Sequence, residues 1–301
     1  MELDLLIERA TQFKDITVAV AAAEDEEALG AVNEAIQRNL SRFLLFGDKE
    51  KITDIIEEKY PGIANSDKFE IIHVPFSQEA AEGAVKAVKE KRANVLMKGN
   101  IPTANLLKTI LNKEYGLRTG NVLSQVAVFG IPDFDRLIMI TDSAMNLNPD
   151  LQQKVQIINN AVEIAKGIGI DTPLVAPIAA IELVNPAMQA TVDAALLTQM
   201  NRRGQIEDCI VDGPLGFDNA VSQIAAEHKG INSEVAGRAD ILLVPTLEVG
   251  NTLYKSLTYF AKAQVGSVIA GASAPIVLTS RADSTESKFY SLALAICSVN
   301  Q

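Results

Sequence analysis

Short apolar runs alternate with longer amphipathic ones along almost the whole chain. ITVAVAAAED (16–25) is apolar and β-branched at its start and then turns acidic, and EEALGAVNEAIQRNL (26–40) follows with helical spacing. SRFLLFGDKE (41–50) reads as the next strand and its exit turn. FEIIHVPF (69–76), ANVLMKGN (93–100), RLIMITDS (136–143), DCIVDGP (208–214) and ADILLVPTL (239–247) repeat one theme, a few apolar residues ending in Gly, Pro, Asp or Asn. QEAAEGAVKAVKEKR (78–92) and PDLQQKVQIINNAVEIAKGIGI (149–170) have the spacing of helices. Strand runs that are apolar on both faces and joined by helices predict an α/β protein with mainly parallel sheets flanked by helices.

In such sheets ligands gather beyond the carboxyl ends of the strands, where loops carry polar groups. The exits in this chain are Lys98-Gly99-Asn100, Thr141-Asp142-Ser143, Asp212-Gly213-Pro214, Glu248-Val249-Gly250-Asn251 and Thr279-Ser280-Arg281. No repeat or low-complexity linker marks a domain border, and PDFDR (132–136) is the best crossing point.

Composition narrows the chemistry. The net charge of −11 over 301 residues argues against wrapping nucleic acid or coating an anionic membrane. A small anion held by local Arg, Lys and backbone N–H groups is still compatible with it. Two cysteines, Cys209 and Cys297, make no disulfide framework, and a reduced, cytoplasmic setting is expected. MELDLLIERATQFKD has no secretory pattern and no apolar run reaches membrane-spanning length. With two histidines, His73 and His228, no multi-His metal site is expected. AAAEDEEALGA puts acids where a dinucleotide fingerprint needs glycines, and GxxxxGK[ST], GxSxG and HExxH are absent.

VLTSRADSTESKFYSLALAI (277–296) runs from a β-rich segment through hydroxyls and a guanidinium into a helix. Ser280, Ser284 or Thr285 is expected to cap that helix, whose N-terminus attracts anions. Arg281 supplies a bidentate fork for phosphate or carboxylate.

The order of these turns resembles the phosphotransacylases, the phosphate acetyltransferase and phosphate butyryltransferase group. The resemblance is carried by LMKGNIPTANLLKTIL (96–111), GLRTGNVLSQVAVF (116–129), ITDSAMNLNPDLQQKVQIINNAVEIAKGIGI (140–170), VDGPLGFDNAVS (211–222) and the stretch from GRADILLVPTLEVGN to SRADS (237–284). The KGN-IPT and SRADS wording is closer to the butyryl type. It implies reversible transfer of a short acyl group between coenzyme A and phosphate, with coenzyme A as co-substrate and no tightly bound cofactor. It also implies a two-domain fold like that of the isocitrate and isopropylmalate dehydrogenases, an active site in the interdomain cleft, and a homodimer or higher homo-oligomer. The expected domains are 1–136 plus 277–301, and 137–276.

The same resemblance puts Ser280 and Arg281 at the chemistry, Ser280 donating to the acyl oxygen and Arg281 holding phosphate. The acetyl type places an acidic base six or seven residues after the serine. Seven on is Ser287 here and six on is Glu286, with Asp283 a rival. Lys98, Asn100, Thr103, Arg118, Ser124, Asp142, Asn251 and Lys255 are the expected substrate and coenzyme A contacts. Two other readings remain: a metal- and nicotinamide-dependent decarboxylating dehydrogenase on the same fold, and an inactive ligand-binding relative.

Overall fold

The computed structural model describes residues 3–280 and 283–299. It divides into two compact units. One holds residues 4–121 and the described residues from 266 onward; the other holds Leu3 and 122–265. The borders expected from sequence were 136/137 and 276/277, and the clusters meet at 121/122 and 265/266. Antiparallel pairing accounts for both offsets. Strand Ser124–Gly130 pairs with Ile138–Thr141 through Ala127↔Ile140, so 122–136 stays with the middle of the chain. Strand Gln264–Ala270 pairs with Ile276–Val277 through Ile269↔Ile276, which draws the segment before 277 to the chain's outer parts.

In chain order the strands are β1 (Thr17–Ala21), β2 (Arg42–Gly47), β3 (Phe69–His73), β4 (Val95–Lys98), β5 (Ser124–Gly130) and β6 (Ile138–Thr141). They continue with β7 (Leu174–Pro177), β8 (Ile210–Val211), β9 (Ile241–Leu243), β10 (Gln264–Ala270) and β11 (Ile276–Val277). The unit that carries the early strands orders them β3-β2-β1-β4-β11-β10, all pairs parallel except β10–β11. In the other unit the order is β5-β6-β9-β7-β8, parallel except β5–β6. The mainly parallel α/β architecture expected from the apolar runs is present in each.

Burial follows the same logic. β4 and β6 are buried at every residue, as strands covered on both faces must be. β3 lies at an edge and has no buried residue. Helix Ser77–Lys89 lies against β1 and β2, and helix Thr285–Cys297 against helices Asp4–Ala10 and Glu26–Gln37. Lys288 through Cys297 are all buried, so this last helix forms part of the core rather than covering it. In the middle unit Phe129, Ile138, Ile140, Leu242 and Tyr254 belong to one core cluster, with Phe129 and Tyr254 edge to face at 5.2 Å.

Candidate active site

β1, β4 and β11 are adjacent and parallel, so their exits open side by side. The amide of Asn100 donates to the Ala22 carbonyl at 2.6 Å and that of Gly99 to Ala21 at 2.8 Å. A Cβ at Gly99 would stand 2.1 Å from the Ala22 carbonyl oxygen, so only glycine lets these two exits touch. Lys98 is buried, with Nζ 3.2 Å from the Gly99 carbonyl oxygen, and Asn100 is exposed. Thr103 is exposed on the first turn of helix Thr103–Ile110, which has no side-chain cap.

Beyond β11, two hydrogen bonds tie Ser280 to Asp283. The exposed Ser280 donates its amide to Asp283 Oδ2 at 2.7 Å, and the Asp283 amide returns to the Ser280 carbonyl at 3.2 Å. Asp283 therefore holds the backbone of Ser280 in place. Ser284 is the cap: its hydroxyl accepts from the Ser287 amide at 3.2 Å. Glu286 is exposed on the first helical turn and reaches Tyr290 one turn later. The Tyr290 phenol is pushed up by burial first, then by the charges of Asp4 and Glu286, to which it also hydrogen-bonds. Arg281 lies outside the described residues.

Two features of this corner had no sequence signal. Thr279 is buried, 4 % exposed, and among the described residues its Oγ1 has no hydrogen-bond partner. Lys288 is buried with Nζ 3.4 Å from Asp25 Oδ1, the same oxygen that caps helix Glu26–Gln37 by accepting from Ala28 at 2.8 Å. That pair fastens the last helix to the β1 exit. Arg118 is exposed and bridges Ala272 through its backbone, in the turn entering β11, at the other end of that strand from Ser280.

Ser124, Asp142, Asn251 and Lys255 belong to the other unit. Asp142 is buried after β6, and five donors surround its carboxylate. Oδ1 accepts from the amides of Gln125 at 3.1 Å, Ala144 at 3.0 Å and Met145 at 3.1 Å. Oδ2 accepts from Asn146 twice, the amide at 2.9 Å and Nδ2 at 2.6 Å. An oxygen pair so occupied organises a loop rather than moving a proton. Ser124 is fully buried and accepts from Asn160 Nδ2 at 2.8 Å.

Helix Leu247–Tyr259 starts against this loop. A Cβ on Gly250 would meet the Asp142 carbonyl oxygen at 2.7 Å and Ser143 Cα at 2.9 Å. The glycine thus sets how closely the helix start approaches. That helix has no side-chain cap, and its first amide, that of Leu247, donates to the Leu147 carbonyl at 3.0 Å. Asn251 and Lys255 are exposed one turn apart on it, Lys255 Nζ lying 5.2 Å from the Tyr254 ring centre. Within its unit, then, the fold brings Asp142 and the helix carrying Asn251 and Lys255 together; within the other it brings Lys98, Asn100 and Ser280 to neighbouring exits.

The remaining reactive groups have structural settings. Burial, and then Asp208, push the Cys209 thiol up to about 11; burial pushes Cys297 to about 12. Both rest as protonated thiols at neutral pH. His73 Nδ1 accepts the amide of Lys49 at 3.2 Å. Among the described residues no group of three or more His, Cys, Asp or Glu is placed to hold a metal, and no helix is long and apolar enough to cross a membrane.

Comparison with known proteins gives one answer. The protein family described as phosphate acetyl/butaryl transferase matches residues 64–296. A probable phosphate butyryltransferase of Bacillus subtilis (strain 168) is 57 % identical over 297 residues, 99 % of this chain and 98 % of that one. A phosphate acetyltransferase of Thermotoga maritima is 48 % identical over 295 residues, 98 % and 99 % of the two chains. The crystal structure of a branched-chain phosphotransacylase from Enterococcus faecalis V583 superposes with a TM-score of 0.82 at 36 % identity, covering 94 % of this chain and 99 % of that one.

Proposed function

The chain belongs to the phosphate acetyl/butyryl transferase family, and we propose that it interconverts a short-chain acyl-CoA plus phosphate with the acyl phosphate plus coenzyme A. The observation that carries the proposal is identity of 57 % across nearly the full length of a phosphate butyryltransferase relative. Family membership also sets aside the dehydrogenase reading. The dehydrogenase-like fold, a cytoplasmic setting, a homodimer, and coenzyme A as co-substrate without a tightly bound cofactor complete it.

In this reading a phosphate oxygen attacks the thioester carbonyl, negative charge gathers on the carbonyl oxygen, and the C–S bond breaks to release the coenzyme A thiolate. Ser280, exposed and held by Asp283 through its amide, donates to that oxygen when the charge is greatest. Arg281 holds the phosphate by its fork. In the reverse direction the thiol, whose ordinary pKa is about 8.5, must lose its proton before it attacks. Asp283 is engaged with the Ser280 amide and Glu286 with the Tyr290 phenol; the more exposed Glu286 is read as the group that takes that proton. Lys98, Asn100 and Thr103 line neighbouring exits for the anionic substrates, and Arg118, Asn251 and Lys255 add polar contacts; Ser124 and Asp142 position the loop beside them.

The acyl chain is read as butyryl or a similar short or branched group. The test is a thiol-release assay with butyryl-CoA and phosphate, without metal or nicotinamide. Ser280→Ala is expected to lower kcat by about 100- to 1,000-fold with little change in KM. Arg281→Ala raises the KM for phosphate, and Arg281→Lys restores it only in part. Glu286→Gln flattens the acid limb of the pH–rate profile. No phosphate-dependent release of coenzyme A would overturn the reading.

A further inference from the structure

The parallel register of β1, β2 and β3 gathers positive charge where these strands begin, at the ends opposite the exits that carry the proposed chemistry. Thr17 opens β1 beside Arg42, which opens β2, and Phe43 pairs with Phe69, which puts Lys68 beside Arg42. The Phe43 amide donates to the Lys68 carbonyl at 2.8 Å, fixing that neighbour relation. Arg92 enters from the end of helix Ser77–Lys89. Together these residues line a crevice of about 340 Å³, with Glu70 as its one acidic wall and Leu44 and Phe69 as apolar surface.

Three cations facing one cavity are notable in a chain of net charge −11. Arg42 holds the Asp67 carbonyl oxygen at 2.6 Å, but its ion pair with the Asp67 carboxylate is loose, 3.9 Å with an 84 % exposed acid side chain. Water competes effectively for such a pair. Among the described residues Lys68 and Arg92 form no ion pair. A helix C-terminus ordinarily repels anions through its free carbonyls. Here the amides of Glu90, Lys91 and Arg92 occupy the carbonyls of Lys86, Val88 and Ala87, at 2.8, 3.0 and 2.8 Å, which removes much of that repulsion.

The volume is at the low end of the range for small-molecule sites, roughly 300–1,000 Å³. Two guanidinium groups and an ammonium lining one crevice suit two linked phosphates better than one carboxylate. We propose that this crevice binds a small pyrophosphate-bearing anion, at a site separate from acyl transfer. The pyrophosphate group is the shared chemistry; the source is either inorganic pyrophosphate or the diphosphate of a nucleotide that lays its base on Leu44 and Phe69.

The test is calorimetric titration of the full chain at low ionic strength with inorganic pyrophosphate and, separately, with ADP. Lys68→Ala/Arg92→Ala is expected to weaken binding at least about tenfold, whereas the charge-keeping Lys68→Arg/Arg92→Lys stays near the parent. Ser280→Ala/Arg281→Ala keeps the parental affinity, which separates this site from the proposed catalytic one. Without added anion the Lys68→Ala/Arg92→Ala protein retains the parental melting temperature and acyl-transfer constants. Tighter ADP binding that weakens in Phe69→Ala identifies the nucleotide, and equal or tighter pyrophosphate binding the inorganic ion. No heat from either ligand up to about 1 mM, equal affinity in Lys68→Ala/Arg92→Ala, or loss of binding in Ser280→Ala/Arg281→Ala would each overturn the proposal.

Discussion

Replacing Asp142 by asparagine separates two roles that an acid at a strand exit can play. In the parent, five donors converge on two oxygens, three on Oδ1 and two on Oδ2. Asparagine retains one acceptor and turns an NH2 group toward amides that also donate. With the remaining oxygen on the Oδ1 side, both Asn146 bonds to Oδ2 are lost; its amide is left without a partner and its Nδ2 keeps the Leu123 carbonyl at 2.8 Å. Hydrogen bonds to a charged group contribute about 1.5–3 kcal/mol each, and two are lost in a buried place. Allowing for relaxation of the loop, Asp142→Asn should cost about 3–5 kcal/mol, at the upper end for a single substitution. At an unfolding entropy of about 2.1 cal/mol/K per residue, that is a fall in melting temperature of roughly 5–8 °C for a chain of 301 residues. Thermal unfolding followed by calorimetry measures it, alongside pH–rate profiles for coenzyme A release. If Asp142 anchors the loop, stability and rate fall together while the acid limb keeps its shape. A variant within about 1 kcal/mol of the parent, or one that keeps its stability and loses the acid limb, would refute the reasoning.

Gly250→Ala gains up to about 1 kcal/mol of helix propensity but forces Cβ against the Asp142 carbonyl and Ser143. A net loss of about 1–2 kcal/mol is expected on thermal melting, with a lower kcat/KM; an unchanged melting temperature would contradict the close approach. Thr279→Val removes a buried hydroxyl that has no partner among the described residues, so stability should hold or rise by about 1 kcal/mol. A clear drop in melting temperature would show the hydroxyl to be satisfied after all. Lys229 holds Glu182 and Asp218 below the usual carboxylate range, in each case chiefly by hydrogen bonding. The stability this supplies is complete above the ordinary values of 4.5 and 3.8 and is lost as pH falls through the lowered ones. Lys229→Met should therefore flatten melting temperature against pH on the acid side, and an acid limb as steep as the parent's would count against the linkage.

The strands were legible because a strand covered on both faces has almost no alternative to an apolar run, as in Val95–Met97 of β4 and Ile138–Ile140 of β6. The run at DCIVDGP gave only the two residues of β8. There the ladder amides of Ile210 and Asp212 face β7, and the Asn201 side chain covers the free edge, taking the Val211 amide at 3.0 Å and the Cys209 carbonyl at 2.9 Å. β3 shows the opposite case, since FEIIH is apolar enough for a core strand yet forms an edge. At the candidate site the exits were legible as places and not as roles. The letter D at 142 does not say that donors from 125 and 144–146 surround it. The Lys288–Asp25 pair joins positions 263 apart, and Thr279 sits in a β-rich run where a threonine resembles any other strand residue.

The unit that presents Ser280 is assembled from the two outer parts of the chain, with residues 122–265 between them. During synthesis its early strands leave the ribosome long before their last helix exists. Until Thr285–Cys297 arrives, helices Asp4–Ala10 and Glu26–Gln37 lack the surface they pack against. Vectorial synthesis at roughly 5–20 residues per second leaves that apolar surface uncovered while the middle unit is made. The middle strands meet no such delay, since β5 through β9 are contiguous in sequence. The chain's aggregation hazard is thus concentrated in its first third during translation, and truncation of the last helix would prolong it indefinitely.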